Sequence, residues 1–215
     1  GMCMSGTNSN VLYALYIEDD PYGYDIEGIY KTVDGGASWD TIPSSLGFTP
    51  SEAMGGFGWY FGQIRVNPAN DNELFVLGIQ LYKTTDCGNN WTEINELASA
   101  TEFHVDKHDL VYMSNDTLLC ATDGGLYRSV DGGQYWTDIE NIPNNQFYRI
   151  AVDPHNADYY CGGVQDNGTN YGTSNDINNW ERIPNGDGFQ PIFDPTDPNL
   201  LYIESQYGGI EWLDI

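Results

Sequence analysis

Short segments rich in β-branched and aromatic residues recur along the whole chain, and turn-forming residues bound each of them. Apolar and polar positions alternate within many of these segments, as in FGQIRVNP (61–68) and HDLVYMS (108–114). A period of two is typical of β-strands, because successive side chains of a strand point to opposite faces of its sheet. Gly, Pro, Asn and Asp between the segments are typical of turns. The pattern therefore predicts an all-β protein.

One sequence of twelve residues occurs three times along the chain. KTVDGGASWDTI (31–42), KTTDCGNNWTEI (83–94) and RSVDGGQYWTDI (128–139) share the pattern Ser/Thr-x-Asp-x-Gly-x-x-Trp. A shorter stretch, SNDINNWERI (174–183), looks like a decayed fourth copy with Asp176 in the aspartate position. Repeats at such spacing indicate a modular architecture. The shared residues are Asp34, Gly36 and Trp39; Asp86, Gly88 and Trp91; and Asp131, Gly133 and Trp136.

Each copy is predicted to be a hairpin turn with a structural role. Asp accepts hydrogen bonds from nearby backbone amides, Gly supplies a positive φ, and Trp begins the return strand with its ring buried between sheets. A second repeat places an Asx-Pro turn between two strands, in VNPANDNELFVLG, VDPHNADYYCGG and FDPTDPNLLYIES. Two different turns, each present in three copies, predict a β-propeller.

The repeated motif resembles the Asp-box, or BNR, repeat family, which includes sialidases, sortilin-type receptor propellers and xyloglucan-cleaving propeller glycosidases. The resemblance implies that each box is the hairpin turn of a propeller blade and serves the scaffold. Propellers close with about 4–8 blades of roughly 40–45 residues. We therefore expect a partial propeller of about four to five blades, a fragment of a larger protein whose open blade edges favour self-association.

The blades can be laid out from the repeat period. The first begins at what reads as a second strand, VLYALYIE (11–18), and the last ends after a third strand, GIEWLDI (209–215). Residues 1–10 are polar and are expected to be a disordered leader or the remnant of a tag. The remaining residues, 11–215, form one propeller portion, with blades at about 11–42, 61–94, 102–139, 146–183 and 188–215.

A wider resemblance covers nearly the whole chain. The runs GWYFGQIRVNP, HVDKH, ATDGGLYRSVDGG, QFYRIAVDP, GGVQDNGT and GDGF…YIESQYGG are similar to a bacterial extracellular subgroup of sortilin-like and glycosidase-like propellers. The run GGVQDNGT is the most specific of these. The resemblance implies a secreted or cell-surface protein that recognises or degrades a polymer, without identifying its substrate.

The charge of the chain narrows its classes of partner. With 32 acidic and 7 basic residues the net charge is −25, which argues against nucleic acid because phosphate binding needs a basic face. No apolar run approaches the ~18 residues of a membrane span. The acidity suits calcium, another cation, a cationic partner or a saline habitat. Cys3, Cys87, Cys120 and Cys161 lack paired spacing, so no disulfide framework is predicted.

The two ends of each predicted blade are expected to differ in role. The turns between strands one and two, and three and four, lie at one end and are the repeated ones. The loops between strands two and three, and between blades, lie at the other end and differ between blades, which favours a binding role. Polar side chains there form a ring for a cation or sugar hydroxyls, or a network of Asx turns lining a wet channel, and aromatic side chains stack on sugar rings. The candidate ligand-binding residues are Trp59, Tyr60, His104, His108, Asp123, Gln165, Asp166, Asn167, Asp187 and Tyr207.

The run His104-Val105-Asp106-Lys107-His108 offers a candidate metal site. If it is a strand, alternation places His104, Asp106 and His108 on one side, where they could bind a divalent cation such as Ca²⁺ or act in acid–base chemistry. The alternative is a hydrogen-bonded structural trio at the mouth of the channel.

Three functions are open on this sequence. The leading hypothesis is an extracellular module that recognises glycan or protein without catalysis. The second is a piece of a xyloglucanase-like glycoside hydrolase, which needs two opposed carboxylates, with Asp106, Asp166 and Asp187 as candidates. A sialidase is weaker, because that family binds its substrate with three arginines and the four arginines here do not match its pattern. The third is a structural scaffold of a surface protein.

Overall fold

The computed structural model describes residues 1–18, 24–43, 53–94, 99, 103–139, 142, 145–183 and 186–215, and these are almost entirely β-structure. Nineteen strands lie in the described residues and form five antiparallel sheets, which we number I to V in chain order. Strands that follow each other in sequence are neighbours in every sheet. This meander is that of a propeller blade, so the predicted fold class is confirmed. Among the described residues, no helix has the length and apolar character to cross a bilayer.

The first of two compact units, Gly1–Ile142, contains sheets I to III. Each of these sheets has four strands. Sheet I consists of β1 (Met2–Met4), β2 (Leu12–Ile17), β3 (Ile26–Thr32) and β4 (Asp40–Ile42). Sheet II consists of β5 (Gln63–Asn67), β6 (Asn70–Leu77), β7 (Leu81–Thr84) and β8 (Thr92–Ile94). Sheet III consists of β9 (Lys107–Tyr112), β10 (Leu118–Thr122), β11 (Gly125–Ser129) and β12 (Thr137–Asp138).

The second unit, Pro143–Ile215, contains sheets IV and V. Sheet IV has four strands and sheet V has three. A short 3₁₀ turn at Gln206–Gly208 separates the last two strands. Sheet IV consists of β13 (Phe147–Val152), β14 (Tyr159–Val164), β15 (Thr169–Thr173) and β16 (Asp176–Ile183). Sheet V consists of β17 (Ile192–Phe193), β18 (Leu200–Ser205) and β19 (Gly209–Asp214).

The first residues of the chain are part of sheet I. Met2 pairs with Ala14 and Met4 pairs with Leu12, so β1 is the first strand of this sheet. The amino group of Gly1 donates to the carbonyl oxygen of Leu15 at 3.0 Å. The expectation that residues 1–10 are disordered is therefore wrong for residues 1–4, whereas their origin as a leader or the remnant of a tag stays a prediction. A strand of three residues carries too short an alternation to be recognised in the sequence.

Each sheet has a front and a back face, which the sequence repeats define. The front face carries the Ser or Thr of the repeated motif, or the residue that precedes an Asx-Pro turn. Strand register places both markers on the same face of sheet II, because Val66 pairs with Leu74 and Leu74 with Thr84. The front-face markers of the five sheets are Thr32, Thr84, Ser129, Val152 and Phe193.

Sheets of the same unit pack back to front. The back face of sheet I, with Tyr13, Leu15 and Ile29, forms one buried cluster with Val66 and Leu74 on the front face of sheet II. Burial of apolar surface in such clusters is the main favourable term in folding. The same relation joins Phe75 and Leu77 of sheet II to Leu110 and Leu118 of sheet III, and Cys161 of sheet IV to Phe193 and Leu201 of sheet V.

The three repeated turns have the same hydrogen bonds. In the second copy, Asp86 Oδ1 accepts from the Asn90 amide and from Thr84 Oγ1, both at 2.8 Å, and its Oδ2 accepts from Asn90 Nδ2 at 2.6 Å. The Gly88 amide donates to Thr84 Oγ1 at 2.9 Å. Asp34 and Asp131 accept the two equivalent Oδ1 bonds from their own turns, and Asp34 Oδ2 also accepts from Ser38 Oγ at 2.6 Å. The aspartates are therefore structural, as the sequence predicts.

These hydrogen bonds set the protonation of the turn aspartates. Bonds to the Ser38 hydroxyl and amide hold the pKa of Asp34 well below its usual value, and bonds to the Asn90 side chain and amide lower the pKa of Asp86. Burial alone would raise the pKa of Asp131, but the amide donors around it make the net shift downward. All three turns are therefore built around ionised carboxylates.

The turn also supplies much of the contact with the preceding sheet. Trp91 and Trp136 are 6% and 0% exposed and belong to the clusters that join sheets I to II and II to III. Trp39, in the turn of sheet I, is 40% exposed. The predicted burial of the repeated tryptophan is confirmed in sheets II and III and is wrong for sheet I.

The predicted fourth copy is not the same turn. Ser174 and Asn175 form the turn between β15 and β16, and Asp176 is the first residue of β16. The Asp176 carboxylate accepts a 3.3 Å bond from the Asn178 amide. The stretch lacks the glycine that gives the other turns their left-handed residue, so a shorter hairpin replaces them.

The two ends of each sheet differ as predicted. Within every four-stranded sheet, an amide of the turn between strands three and four donates to a carbonyl in the turn between strands one and two or near the start of strand two, and we call this the turn end. The bonds run from Gly35 to Asn10 (2.9 Å), Cys87 to Asn72 (2.8 Å), Gly132 to Asp116 (2.9 Å) and Ser174 to Asp158 (2.8 Å). The loops at the opposite end are the loop end.

Alanine at the motif glycine tests the back-to-front packing. Gly36 and Gly88 have positive φ values of 96° and 87°, so both substitutions cost about 1 kcal/mol for the left-handed backbone. A Cβ at Gly88 also overlaps the Ile42 side chain of sheet I, whereas the nearest atom to a Cβ at Gly36 is on Trp39 at 3.8 Å. We expect Gly88→Ala to lose a further ~1–3 kcal/mol of unfolding free energy in urea. Equal losses in the two variants would contradict this packing.

The turn aspartates predict a pH dependence of stability. Because the folded pKa of Asp86 is lowered from 3.8, its carboxylate stabilises the protein above that pH, and the contribution is lost as the pH falls through the folded pKa. Asp86→Asn should therefore be less stable than the wild type at neutral pH, with a difference that shrinks below pH 3.8. Urea unfolding of both proteins across pH measures it. A difference independent of pH would show that the charge is not the stabilising feature.

Candidate functional site

The loop end of sheets II and III brings three segments together. The Asp106 amide donates to the Ile79 carbonyl at 2.9 Å, and the Lys107 amide donates to the Gly78 carbonyl at 2.8 Å. The Asp123 amide, in the turn between β10 and β11, donates to the Asp106 carbonyl at 3.3 Å. The loop between β6 and β7, the segment before β9 and the turn after β10 are therefore fixed to one another.

A histidine–carboxylate pair lies at this loop end. His108 Nε2 and Asp123 Oδ1 are 2.6 Å apart, and both side chains are partly exposed. The Tyr60 ring meets the His108 ring edge to face, with centroids 5.3 Å apart, and Phe61 lies at the same distance on a tilted plane. The aromatic rings fix the imidazole, so the pair is held in one orientation while its edge remains accessible.

Asp106 is an unfavourable residue beside this pair. It has a left-handed backbone with φ of 64°, which costs a non-glycine residue about 1–3 kcal/mol. Burial, and then the negative charge of Asp123, raise the pKa of its carboxyl. A strained backbone and a carboxyl that resists ionisation are features that cluster at functional sites.

A buried lysine holds the segment that carries Asp106 and His108. The Lys107 side chain is fully buried, donates from Nζ to the His104 carbonyl and lies 4.3 Å from the centroid of the Phe103 ring. Buried lysine is rare without such partners. Sequence reasoning missed this role, because nothing in the run of residues distinguishes Lys107 from an exposed surface lysine.

The predicted strand through His104 and Asp106 is wrong. β9 begins only at Lys107, and the preceding residues instead follow their bonds to the loop between β6 and β7. His104 is buried, with Nδ1 3.0 Å from the Val105 carbonyl oxygen. Among the described residues, no group of three or more His, Cys, Asp or Glu side chains is placed to hold a metal ion, so the predicted His104, Asp106 and His108 ligand set is not assembled.

Exposed aromatic residues lie next to the histidine pair. Trp59 and Tyr60 are 65% and 57% exposed, with ring centroids 5.6 Å apart. The Gly58 amide donates to the Tyr24 carbonyl at 2.7 Å, which joins a second variable loop to this segment. Tyr24 and Phe57 are exposed there as well, and the candidate list did not include them. Their place in variable loops is the signal that could have found them.

The remaining candidate residues lie in the second unit. The Asp166 amide donates to Asp187 Oδ1 at 2.6 Å, and Asn167 Nδ2 donates to the Gln165 carbonyl at 3.1 Å. The Gly168 amide donates to the Gly186 carbonyl at 2.7 Å, which holds the loop after β14 to the segment before β17. The predicted Asx network is therefore present at the loop end of sheet IV.

Aromatic residues accompany this second group. Tyr148 and Phe189 stack with centroids 5.0 Å apart and planes 2° apart. Burial, and then the charges of Asp187 and Asp166, raise the pKa of the Tyr148 phenol. Tyr207 is fully exposed and has a left-handed φ of 62°. Tyr148 and Phe189 were not on the candidate list.

The candidate residues thus form two groups, each defined within its own unit. Both combine carboxylates at a loop end with exposed aromatic rings. The first group contains Trp59, Tyr60, His104, Asp106, His108 and Asp123. The second contains Gln165, Asp166, Asn167, Asp187 and Tyr207.

No model of a known protein family matches the chain, and no curated protein matches it. Solved structures similar to it include a GH74 enzyme from Niastella koreensis, with 17% identity, a TM-score of 0.49, and coverage of 94% of this chain and 33% of the enzyme. An ancestral GH74 enzyme has 14% identity, a TM-score of 0.42, and coverage of 100% and 32%. YCF48 from Cyanidioschyzon merolae has 13% identity, a TM-score of 0.41, and coverage of 100% and 66%. The chain spans about a third of the length of either GH74 enzyme. Its function is therefore inferred from its own residues.

Because the pKa of Asp106 is raised, its expected effect of pH on stability is opposite to that of the turn aspartates. An acid whose folded pKa is raised costs stability once the pH exceeds its unfolded value of 3.8, because the folded state resists its ionisation. Asp106→Asn should therefore raise the melting temperature at neutral pH, and the gain should vanish below pH 3.8. Asn tolerates the left-handed backbone. Melting curves across pH measure the effect, and a loss of stability at neutral pH would assign Asp106 a structural role.

Proposed function

We propose that the chain is an extracellular Asp-box propeller module that recognises glycans at the loop end of its first unit. The exposed pair Trp59 and Tyr60, of which Tyr60 packs against the His108 ring, is the observation that supports this proposal. The aromatic rings would stack on the apolar faces of sugar rings. The His108–Asp123 pair and the Asp106 carboxyl would bind sugar hydroxyls, which both donate and accept hydrogen bonds.

The charge of the chain favours a neutral glycan. A net charge of −25 repels anionic sugars over distances longer than any contact. A neutral sugar meets no such barrier, and the aromatic pair offers it apolar contact area. The described residues of the first group include three ionisable side chains that suit hydroxyls: Asp106, His108 and Asp123. We therefore place neutral polysaccharides, of the β-glucan or xyloglucan kind, ahead of sialylated or sulfated ones.

The second unit would offer a similar site. Tyr207 supplies an exposed ring, and Asp166 and Asp187 supply carboxylates at the loop end of sheet IV. A site of this composition would bind sugars through the same kinds of contact, and we place glycans ahead of an extracellular protein as its ligand. An interface with a folded protein buries about 800 Å² on each partner, which is far more than a pair of aromatic rings provides.

A fragment of a glycoside hydrolase is the second candidate, and Asp106 favours it. A general acid needs a carboxyl whose pKa is raised, and a glycosidase sets it against a second carboxylate. Asp106 has the raised pKa, and Asp123 is its carboxylate neighbour. Release of reducing sugar from xyloglucan or β-glucan, lost in Asp106→Asn, would support this candidate over pure recognition. The remaining hypothesis, a structural scaffold, predicts neither binding nor hydrolysis.

Single aromatic substitutions test the glycan proposal. Binding of the wild type to neutral oligosaccharides is measured first on a glycan array and then by calorimetry. Trp59→Ala and Tyr60→Ala should each weaken binding about 2–10-fold, since an aromatic contact contributes ~0.5–1.5 kcal/mol. Trp39→Ala is the matched control, because Trp39 is an exposed tryptophan at the turn end of sheet I.

One outcome would contradict this site, and another would contradict glycan binding altogether. Equal binding by the wild type, Trp59→Ala and Tyr60→Ala would place the glycan elsewhere, and the absence of any bound glycan would leave the scaffold hypothesis. Repeating the titration with EDTA and with added calcium tests the expected cation. Localisation outside the cell is tested by fractionating the native host, since the proposal needs access to extracellular polymers.

A further inference from the structure

The front face of sheet I is exposed although it has the composition of a buried face. Met2, Met4 and Tyr16 are 64%, 55% and 57% exposed. Tyr16 and Tyr30 meet edge to face with centroids 5.5 Å apart. The equivalent faces of sheets II and III are covered by the back face of the preceding sheet. Among the described residues of the first unit, no sheet covers the front face of sheet I.

This face carries no charge. Strand register places nine residues on it, and none is Asp, Glu, Lys, Arg or His, although the chain has 32 acidic and 7 basic residues in 215. A sheet face that met water would be expected to share in that charge, as solvated strand faces do. The nine residues are Met2, Met4, Leu12, Ala14, Tyr16, Gly28, Tyr30, Thr32 and Thr41.

Trp39 points to what should cover the face. Its counterparts Trp91 and Trp136 are buried against the back face of the preceding sheet, whereas Trp39 remains 40% exposed. The motif of sheet I is complete in sequence, with Asp34 bonded as in the other turns. The front face of sheet I is therefore built to receive the back face of another propeller-type sheet.

The back face of sheet V is a second uncovered surface, which carries exposed apolar residues together with Glu204 and Asp214 at its two ends. Ile210 and Trp212 on β19 are 72% and 64% exposed, and Ile192 on β17 is 51% exposed. Register places Ile192, Tyr202 and Trp212 side by side on this face, opposite to the front face that packs on sheet IV. In every sheet pair described within a unit, a back face of this kind covers a front face.

We propose that the back face of sheet V in one copy of the chain packs on the front face of sheet I in a second copy. The contact continues the back-to-front packing already present between sheets I and II, II and III, and IV and V. It joins two different surfaces, so it is heterologous and propagates head to tail into a ring or a longer chain of copies. The proposal does not depend on glycan binding, because it uses no loop-end residue.

The charge of the chain sets the conditions for association. Copies with a net charge of −25 repel each other at low ionic strength, and salt screens this repulsion while leaving apolar burial intact. Sedimentation of the wild type should show monomer at low salt and concentration-dependent oligomers at high salt. A wild type that stays monomeric at high salt and high concentration would overturn the proposal.

Two charge substitutions distinguish this interface from others. Tyr16→Asp blocks the front face of sheet I, and Trp212→Asp blocks the back face of sheet V. Each variant alone should be monomeric at high salt, but an equimolar mixture should form dimers and nothing larger, because one intact face remains on each partner. A mixture that stays monomeric, or a single variant that still associates, would refute the head-to-tail contact. Met113→Asp is the control, since Met113 is 65% exposed in the turn after β9 and should associate as the wild type does.

The interface can also be tested on the wild type, so that the result does not depend on whether the variants fold. Hydrogen exchange of the wild type at high salt should slow in β1 and β19 as the concentration rises, and exchange in β10 should not change. Protection confined to other strands would place the interface elsewhere, and exchange that is independent of concentration would rule out association.

Discussion

Back-to-front burial is the constraint on which the rest of this structure depends. A single antiparallel sheet cannot offset the entropy of ordering its chain unless its apolar positions are covered. The repeated turn takes part in this cover as well as reversing the chain. Trp91 and Gly88 are the residues through which the turn of sheet II meets sheet I, and the ionised Asp86 accepts bonds from Thr84 and Asn90 of the same turn. The hydrogen bonds of the motif and the packing between sheets therefore depend on the same turn.

The two ends of each sheet differ in how many residues they hold in an unfavourable backbone conformation or an unfavourable buried environment. At the turn end, carboxylates accept several bonds, and glycines occupy the left-handed positions except at Cys87, whose φ is 58°. At the loop end, Asp106, Asp166 and Tyr207 are left-handed without being glycine, and Lys107 is fully buried. Such costs persist only where the surrounding structure enforces them. The rigid turn end allows the loop end to hold unfavourable groups, and Asp106 among them belongs to the site that we propose for ligand binding.

The fold could be predicted because its signals are local. Alternation marks strands within a few residues, and the two repeated turns each carry their own hydrogen-bond donors and acceptors. The sequence predictions were wrong where a segment matched a motif but lacked one of its residues, or where contacts with distant residues determined the backbone conformation. SNDINNWERI keeps Asp and Trp but lacks Gly, and it folds into a shorter turn. His104 follows bonds from its neighbours to Gly78 and Ile79, which no sequence window contains. The loop-end aromatics were found in part, since variable loops indicate where to look but not which rings meet.

The acidity of the chain links both of its proposed contacts. An anion or a second copy of the chain must approach through a repulsive electrostatic field. That field decays over about 8 Å at physiological ionic strength. Affinity must then come from short-range contacts between uncharged groups. Trp59 and Tyr60 at the loop end, and Met2 and Tyr16 on the front face of sheet I, provide uncharged surface of this kind. On these two proposals, the net charge of −25 disfavours anionic partners, and it makes association of copies depend on salt while binding of a neutral sugar does not.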